Sequence, residues 1–179
     1  MQLIACTHGA HAQAILDILN HAIVTSTALY DYQPRSLTNM RIWFDAKAAG
    51  GFPVIGAVDE AGTLLGFASY GTWRAFPAYK YSVEHSVYVR EDQRGKGLAR
   101  LLMQALIDAA RAQGKHVMVG AIDAANAGSI ALHEKLGFTP AGTVRQAGFK
   151  FGRWLDVAFY QLILDTPAQP FDGGVKKQA

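Results

Sequence analysis

Residues 3–6, "LIAC", form an apolar run with the texture of a short strand, and apolar positions then return at helical spacing as Ile15, Ile18, Leu19, Ala22 and Ile23. A first β-α unit is predicted. After the break at Pro34, Ser36 is placed to cap a second helix that carries Leu37, Met40, Trp43 or Phe44, and Ala48, and Gly50-Gly51 stops it. The texture then changes to "FPVIGAV", "DEAG" and "TLLGFASYGTW", which predicts two strands joined by a glycine-containing turn. A third strand, Tyr81–Val89, follows the loop "RAFPAYK" and is expected to pair antiparallel with them. Leu98, Leu101, Leu102, Ala105, Leu106 and Ala109 trace one face of a helix ending near Gln113-Gly114. That helix leads as a crossover to "HVMVGAI", a continuous apolar run suited to a buried parallel strand. "GSIALHEKLGF" reads as a short helix closing at Gly137, followed by strands within Thr139–Val144 and Trp154–Leu164, with a hairpin turn in "GFKFGRW".

The predicted order is β-α-α-β-β-β-α-β-α-β-β. This is an α/β fold of the α+β kind, a mixed, mostly antiparallel central sheet flanked by helices. A chain of 179 residues suits a single domain, expected over residues 1–166, with the glycine-rich, polar segment 167–179 as a flexible C-terminal tail. Half the residues are apolar and 17% charged, far from the disordered class. No run approaches the length of a membrane helix and the N-terminus lacks the pattern of a signal peptide, so no membrane partner and a cytoplasmic location are expected. Cys6 stands alone, which excludes an internal disulfide and a cysteine zinc cluster, and it reads as a small buried residue. No metal is expected. A net charge of +3 is scattered except around Arg90, Arg94, Lys96 and Arg100, too sparse for a nucleic-acid partner.

That cluster surrounds "RGKGLA" at the junction of a strand and a helix. Unpaired N–H groups and the dipole at a helix start favour an anion, and glycines let a phosphate approach the bare backbone. The spacing fits neither a nucleotide-triphosphate loop nor a dinucleotide fingerprint, because Gly97 follows Lys96 and no third glycine completes Gly95-x-Gly97. In "SVEHSVYV", strand alternation sets Val83, His85, Val87 and Val89 on one face and Glu84, Ser86 and Tyr88 on the other. His85 therefore reads as structural.

Arg94-x-x-Gly97-x-Ala99 after a strand, then Asn126 and "ALHEKLGF" in the next β-α unit, resemble the Gcn5-related N-acetyltransferase superfamily. "TWRAFPAYKYSVEHSVYV" and "AGFKFGRWLDVAFYQL" are similar to its phosphinothricin and methionine-sulfoximine branch, and the similarity runs from about residue 3 to 164. The resemblance implies that acetyl-CoA is the cosubstrate. Its diphosphate would be held by Arg94, Gly95, Lys96, Gly97, Leu98 and Ala99, and its thioester and arm by the strand end Val87, Tyr88 and Val89, with Asn126 and Ser129 alongside. Ser129 is expected mainly to cap its helix.

By resemblance Glu84 is the general base that frees the acceptor amine, whose pKa in solution is roughly 7.7–8.0. His133 stands where many members carry an acid for the departing thiolate, although packing beside the cofactor arm is the other reading. The resemblance also implies a bulge in the Glu84 strand, which would upset the alternation locally. Arg74 suits the carboxylate of a small amino-acid acceptor. Phe76 and Tyr79, with Tyr30 and Phe149 as further candidates, are expected to wall the acceptor pocket, and Lys150 and Arg153 to lie near the acceptor or at a dimer contact. The implied activity is direct acetylation of the α-amino group of phosphinothricin, methionine sulfoximine or methionine sulfone in a ternary complex, by a homodimer. Acetylation of a polyamine or a protein N-terminus, or acyl-CoA binding without catalysis, are the competing readings.

Overall fold

The computed structural model describes residues 1–173. It contains β1 (Gln2–Ala5), α1 (His8–Thr25), α2 (Leu37–Ala49), β2 (Val54–Val58), β3 (Leu64–Thr72), β4 (Ser82–Val89), α3 (Leu98–Ala112), β5 (Val117–Asp123), α4 (Ala127–Lys135), β6 (Thr139–Lys150) and β7 (Arg153–Ile163). The predicted order is the observed one. Two single 3₁₀ turns, Pro77–Tyr79 and Glu91–Gln93, add detail in the loops.

Seven strands form one sheet in the order β1-β2-β3-β4-β5-β7-β6. Every neighbouring pair is antiparallel except β4 with β5. The parallel pair is joined through α3, the crossover that a parallel connection requires. It is also short: Ser82 faces Val117, Val83 faces Met118, Glu84 faces Val119, and no pairing follows. Past Glu84 the two strands part, and the sheet opens between its two halves.

Helices cover both faces. α3 buries Leu102, Met103, Leu106, Ile107 and Ala110 against Ala68, Tyr70, Val83 and Met118. α1 and α2 bury Ile15, Leu19, Met40 and Phe44 against Val54, Leu64 and Phe67. The helical spacing read from the sequence is thus the spacing of residues that meet the sheet. Ser36 caps α2 as expected, in a reciprocal box with Asn39.

Two expectations are corrected. The bulge implied for the Glu84 strand is absent, since β4 pairs with β3 without a shift from Val83 to Val89, and alternation holds throughout. β6 runs on to Lys150 instead of ending at Val144, because an irregularity between Val144 and Gly148 is bridged by Gln146, at φ 51°, whose N–H donates to Asp156. A polar, glycine-containing stretch hides such a continuation from any pattern of alternation. Residues 167–173 have no helix or strand, and the Phe171 N–H donates to the Tyr81 hydroxyl at 3.0 Å. The remainder of the expected tail, 174–179, lies outside the described residues.

Candidate active site

Where β4 and β5 part, a cleft of about 360 Å³ opens, floored by Glu84–Tyr88 and Ala121–Asp123 and walled by Thr27–Tyr30, Asn126, Ser129 and His133. Glu84, Val87, Tyr88, Asn126, Ser129 and His133, six of the residues singled out in the sequence, meet here. Glu84 is the last β4 residue paired to β5, so its carboxylate sits at the fork. Burial raises its pKa above the ordinary glutamate value and the nearby Arg74 charge opposes that rise. A half-buried carboxylate with a raised pKa is a better proton acceptor than one in water.

On the other side of the β4 chain His85 stacks on His133, ring centroids 5.0 Å apart, with the two Nε2 atoms at 3.0 Å. The proton positions follow from the partners. His133 Nδ1 lies 2.7 Å from the Ser129 carbonyl, which can only accept, so that nitrogen carries the hydrogen. In the neutral ring Nε2 is then a lone pair, and His85 Nε2–H donates to it. His85 Nδ1 is left buried without a partner. Burial lowers the pKa of both rings, so each holds a single proton near neutrality. Room for the pair comes from Gly120 on β5, where a Cβ would stand 2.7 Å from His85 Nε2 and 3.0 Å from His133 Nε2.

Ser129 does not cap α4. Asn126 does, its Oδ1 accepting the Ser129 N–H at 3.0 Å, which leaves the Asn126 amide nitrogen available to the cleft. Val89 ends β4 opposite Gly66 and lines a different hollow beside α1.

The turn before α3 stands outside the cleft. Gly95 and Gly97 have φ of 76° and 80°, and nothing lies within 4 Å of where their Cβ atoms would be. Gly97 is the N-cap and the helical ladder begins with Leu101 N–H to Gly97, so the amides ahead of it have no helical acceptor. Arg94 and Lys96 are exposed beside them, and Lys96 reaches Gln93 at 2.9 Å. Leu98 contributes only backbone, its side chain being core. These features fit the diphosphate of a coenzyme: open space, positive φ where a side chain would intrude, unpaired donors and two cations.

The acceptor residues are only partly brought together. Arg74 is exposed, its guanidinium 4.8 Å from the Trp73 ring centre, and its charge reaches Glu84. Phe76, 74% exposed, and Tyr79 line a separate hollow of about 180 Å³ with Arg74, so within one chain they do not wall the Glu84 cleft. Of the four aromatic candidates, Tyr30, in the loop after α1, is the one that lines the Glu84 cleft. Phe149 packs edge-on to Trp154 away from the cleft. Lys150 is buried, and Arg153 reaches Asp123 at 3.4 Å.

Sequence reasoning passed over Asp123 and Thr27. Asp123 ends β5, is 7% exposed, and accepts from the Thr27 hydroxyl, the Ala125 N–H and Arg153. Burial alone would raise its pKa, but these donors hold it below the usual carboxylate range. An aspartate at a strand end carries no periodic signal; only its position at the mouth of the split makes it informative. Cys6 is buried, with its thiol pushed up to about 11, and offers no nucleophile. Among the described residues no group of three or more His, Cys, Asp or Glu is placed to hold a metal ion, and no helix is long and apolar enough to cross a membrane.

A sheet split between two parallel strands, with a bare-backbone helix start after the first of them, defines the N-acetyltransferase class of α/β folds. The chain belongs to the acetyltransferase (GNAT) family, whose model matches residues 15–138. It is 55% identical over 156 residues to the L-methionine sulfoximine/L-methionine sulfone acetyltransferase of Pseudomonas paraeruginosa, covering 87% of this chain and 91% of that protein. Among solved structures, an acetyltransferase candidate from Acinetobacter baylyi is 61% identical with a TM-score of 0.95, each chain covered to 96%. The yncA protein of Salmonella typhimurium, an acetyltransferase candidate solved with its cofactor acetyl-CoA, is 44% identical with a TM-score of 0.91, covering 96% of this chain and 98% of its own.

Proposed function

We propose that the protein is an acetyl-CoA-dependent N-acetyltransferase acting on the α-amino group of small L-amino acids of the methionine sulfone, methionine sulfoximine and phosphinothricin type. The observation that carries this reading is Glu84 at the fork of β4 and β5, half-buried, with raised basicity and a guanidinium nearby. The 55% identity to an enzyme named for the sulfoximine and sulfone supports the acceptor class.

When bound, acetyl-CoA supplies an acetyl group already activated as a thioester. Backbone N–H groups from Gly95 to Ala99, with Arg94 and Lys96, would hold its diphosphate, and the β4 end, Asn126 and Ser129 its arm. Glu84 takes a proton from the acceptor's ammonium, directly or through one water, so that the amine arrives with a free lone pair. Arg74 draws the acceptor's carboxylate by charge while keeping Glu84 ionised over a wider pH range. With no activated Cys or Ser in the cleft, transfer is direct. His133 enters this proposal as a wall of the cleft and not as an acid. Its one proton is committed to Ser129, and giving it up from the neutral ring would leave an imidazolate. A thiol of pKa roughly 8.5 leaves acceptably without that help.

The active form is a homodimer in the cytoplasm. The resemblance implies the dimer, and the edge strand β6, exposed along most of its length beside the exposed Val144, Phe149, Phe151 and Trp154, supports it.

The test is release of coenzyme A from acetyl-CoA with L-methionine sulfone, L-methionine sulfoximine, L-phosphinothricin, the common amino acids, spermidine and a peptide N-terminus. Turnover concentrated on the first three is expected. Turnover on spermidine or the peptide alone would overturn the acceptor class, and cofactor binding with no acceptor at all would favour a binding module.

A further inference from the structure

The loop between α1 and α2, residues 26–36, contains Thr27–Tyr30 of the cleft wall yet has no helix or strand of its own. Something else must fix its shape. Besides local bonds such as Arg35 to Asp31, it has anchors remote in sequence, and the most deeply buried of these is Lys150, 4% exposed at the end of β6. The Lys150 ammonium donates to the carbonyls of Ile23 at 2.7 Å, Ser26 at 2.9 Å and Leu29 at 2.5 Å. An ammonium has three protons and here all three are used. One carbonyl belongs to the last turn of α1, one to its C-cap and one to the loop, so a single cation ties the helix end to the cleft wall. The same hairpin end makes two more ties: the Tyr32 hydroxyl donates to the Phe149 carbonyl, and the Tyr30 ring occupies the space over Gly148, where a Cβ would stand 2.6 Å from Tyr30 Cε2.

We propose that Lys150 is a positioning residue for the amino-acid acceptor: it touches no reactant, but its ammonium sets the Ser26–Tyr30 segment that walls the Glu84 cleft. This rests on the reading of that cleft as the acceptor site. The cofactor side does not share the dependence, because the α3 turn, the β4 end and the start of α4 make none of these contacts. The ammonium is suited to the task where other side chains are not. A methionine has similar length and no donor, and would leave three carbonyls without their partner. An arginine keeps the charge, but its planar fork cannot converge on three acceptors arranged around one point.

The experiment compares the wild type with Lys150→Met and Lys150→Arg in three measurements: steady-state kinetics with L-methionine sulfone, the dissociation constant of acetyl-CoA, and hydrogen exchange of backbone amides. In both variants the acceptor KM should rise about tenfold or more, the loss of roughly one charge-assisted contact network. kcat and the acetyl-CoA dissociation constant should stay within about threefold, and faster exchange should be confined to residues 24–35. Three results would overturn the inference: unchanged exchange in that segment, acceptor and acetyl-CoA affinities weakening together, or faster exchange with an unaltered acceptor KM. If the wild type itself turns over no amino acid, the acceptor reading and the role built on it both fall, while the exchange data still report whether the clamp exists.

Discussion

Two histidines one hydrogen bond apart show how a side chain's partners decide its chemistry. His133 stands out in the sequence as an ionisable group on a helix beside the site, and nothing in the sequence reveals that His85 from another element occupies its second nitrogen. His85 was legible as structural from strand alternation; its bond to His133 was not, because the contact is made across 48 positions and through the gap left by Gly120. Replacement of His133 by Asn keeps a donor near the Ser129 carbonyl. If His133 is a wall, kcat at pH 8 should fall less than about fivefold, whereas loss of a true general acid costs about 10²–10⁴. The variant should also lose stability, by about 1–3 kcal/mol, since His85 Nε2–H is left without its acceptor. Kinetics beside a thermal melt separate these effects.

The glycine turn and the helix behind it form the unit most fully legible in the sequence. Gly97 is required by its φ of 80° and not by crowding, and the open space over it is what a phosphate would need. Replacement of Gly97 by Ala should cost about 1–2 kcal/mol in the left-handed region or tilt the amides to escape it. Either way the acetyl-CoA KM should rise roughly tenfold with the acceptor KM unchanged, as read in initial rates with each substrate varied in turn. β6 is the contrasting case. Its second half was hidden because the irregularity around Gln146 breaks the alternation, and the hairpin end beyond that break carries Lys150, which fixes a loop more than a hundred residues earlier.

At the scale of the molecule, the element order and the mixed sheet were readable because each element has its own periodicity and stop signal. The position of the split was not. It depends on where β4 and β5 cease to pair, a property of two strands that meet only through the α3 crossover, and so Asp123 and Thr27 went unnoticed until the chain was folded. The exposed β6 edge sets a test of assembly: gel filtration with light scattering should give twice the 19.4 kDa chain mass, and Trp154→Glu should shift the population towards monomer. A monomeric wild type would remove the proposed dimer. The account stands or falls on Glu84, and the most direct measurement is kcat/KM for L-methionine sulfone from pH 5 to 9 with wild type, Glu84→Gln and Arg74→Ala. Burial raises the Glu84 pKa, so wild-type activity should be lost as pH falls, at a higher pH than an exposed glutamate would set. Removing Arg74 removes the charge that lowers it, which should move that limb to still higher pH. Glu84→Gln should lose about 10²–10⁴ of the rate at neutral pH and recover as pH rises, the solution supplying the free amine. A Glu84→Gln profile that overlies the wild type would contradict the base, and with it the mechanism derived from the fork of the sheet.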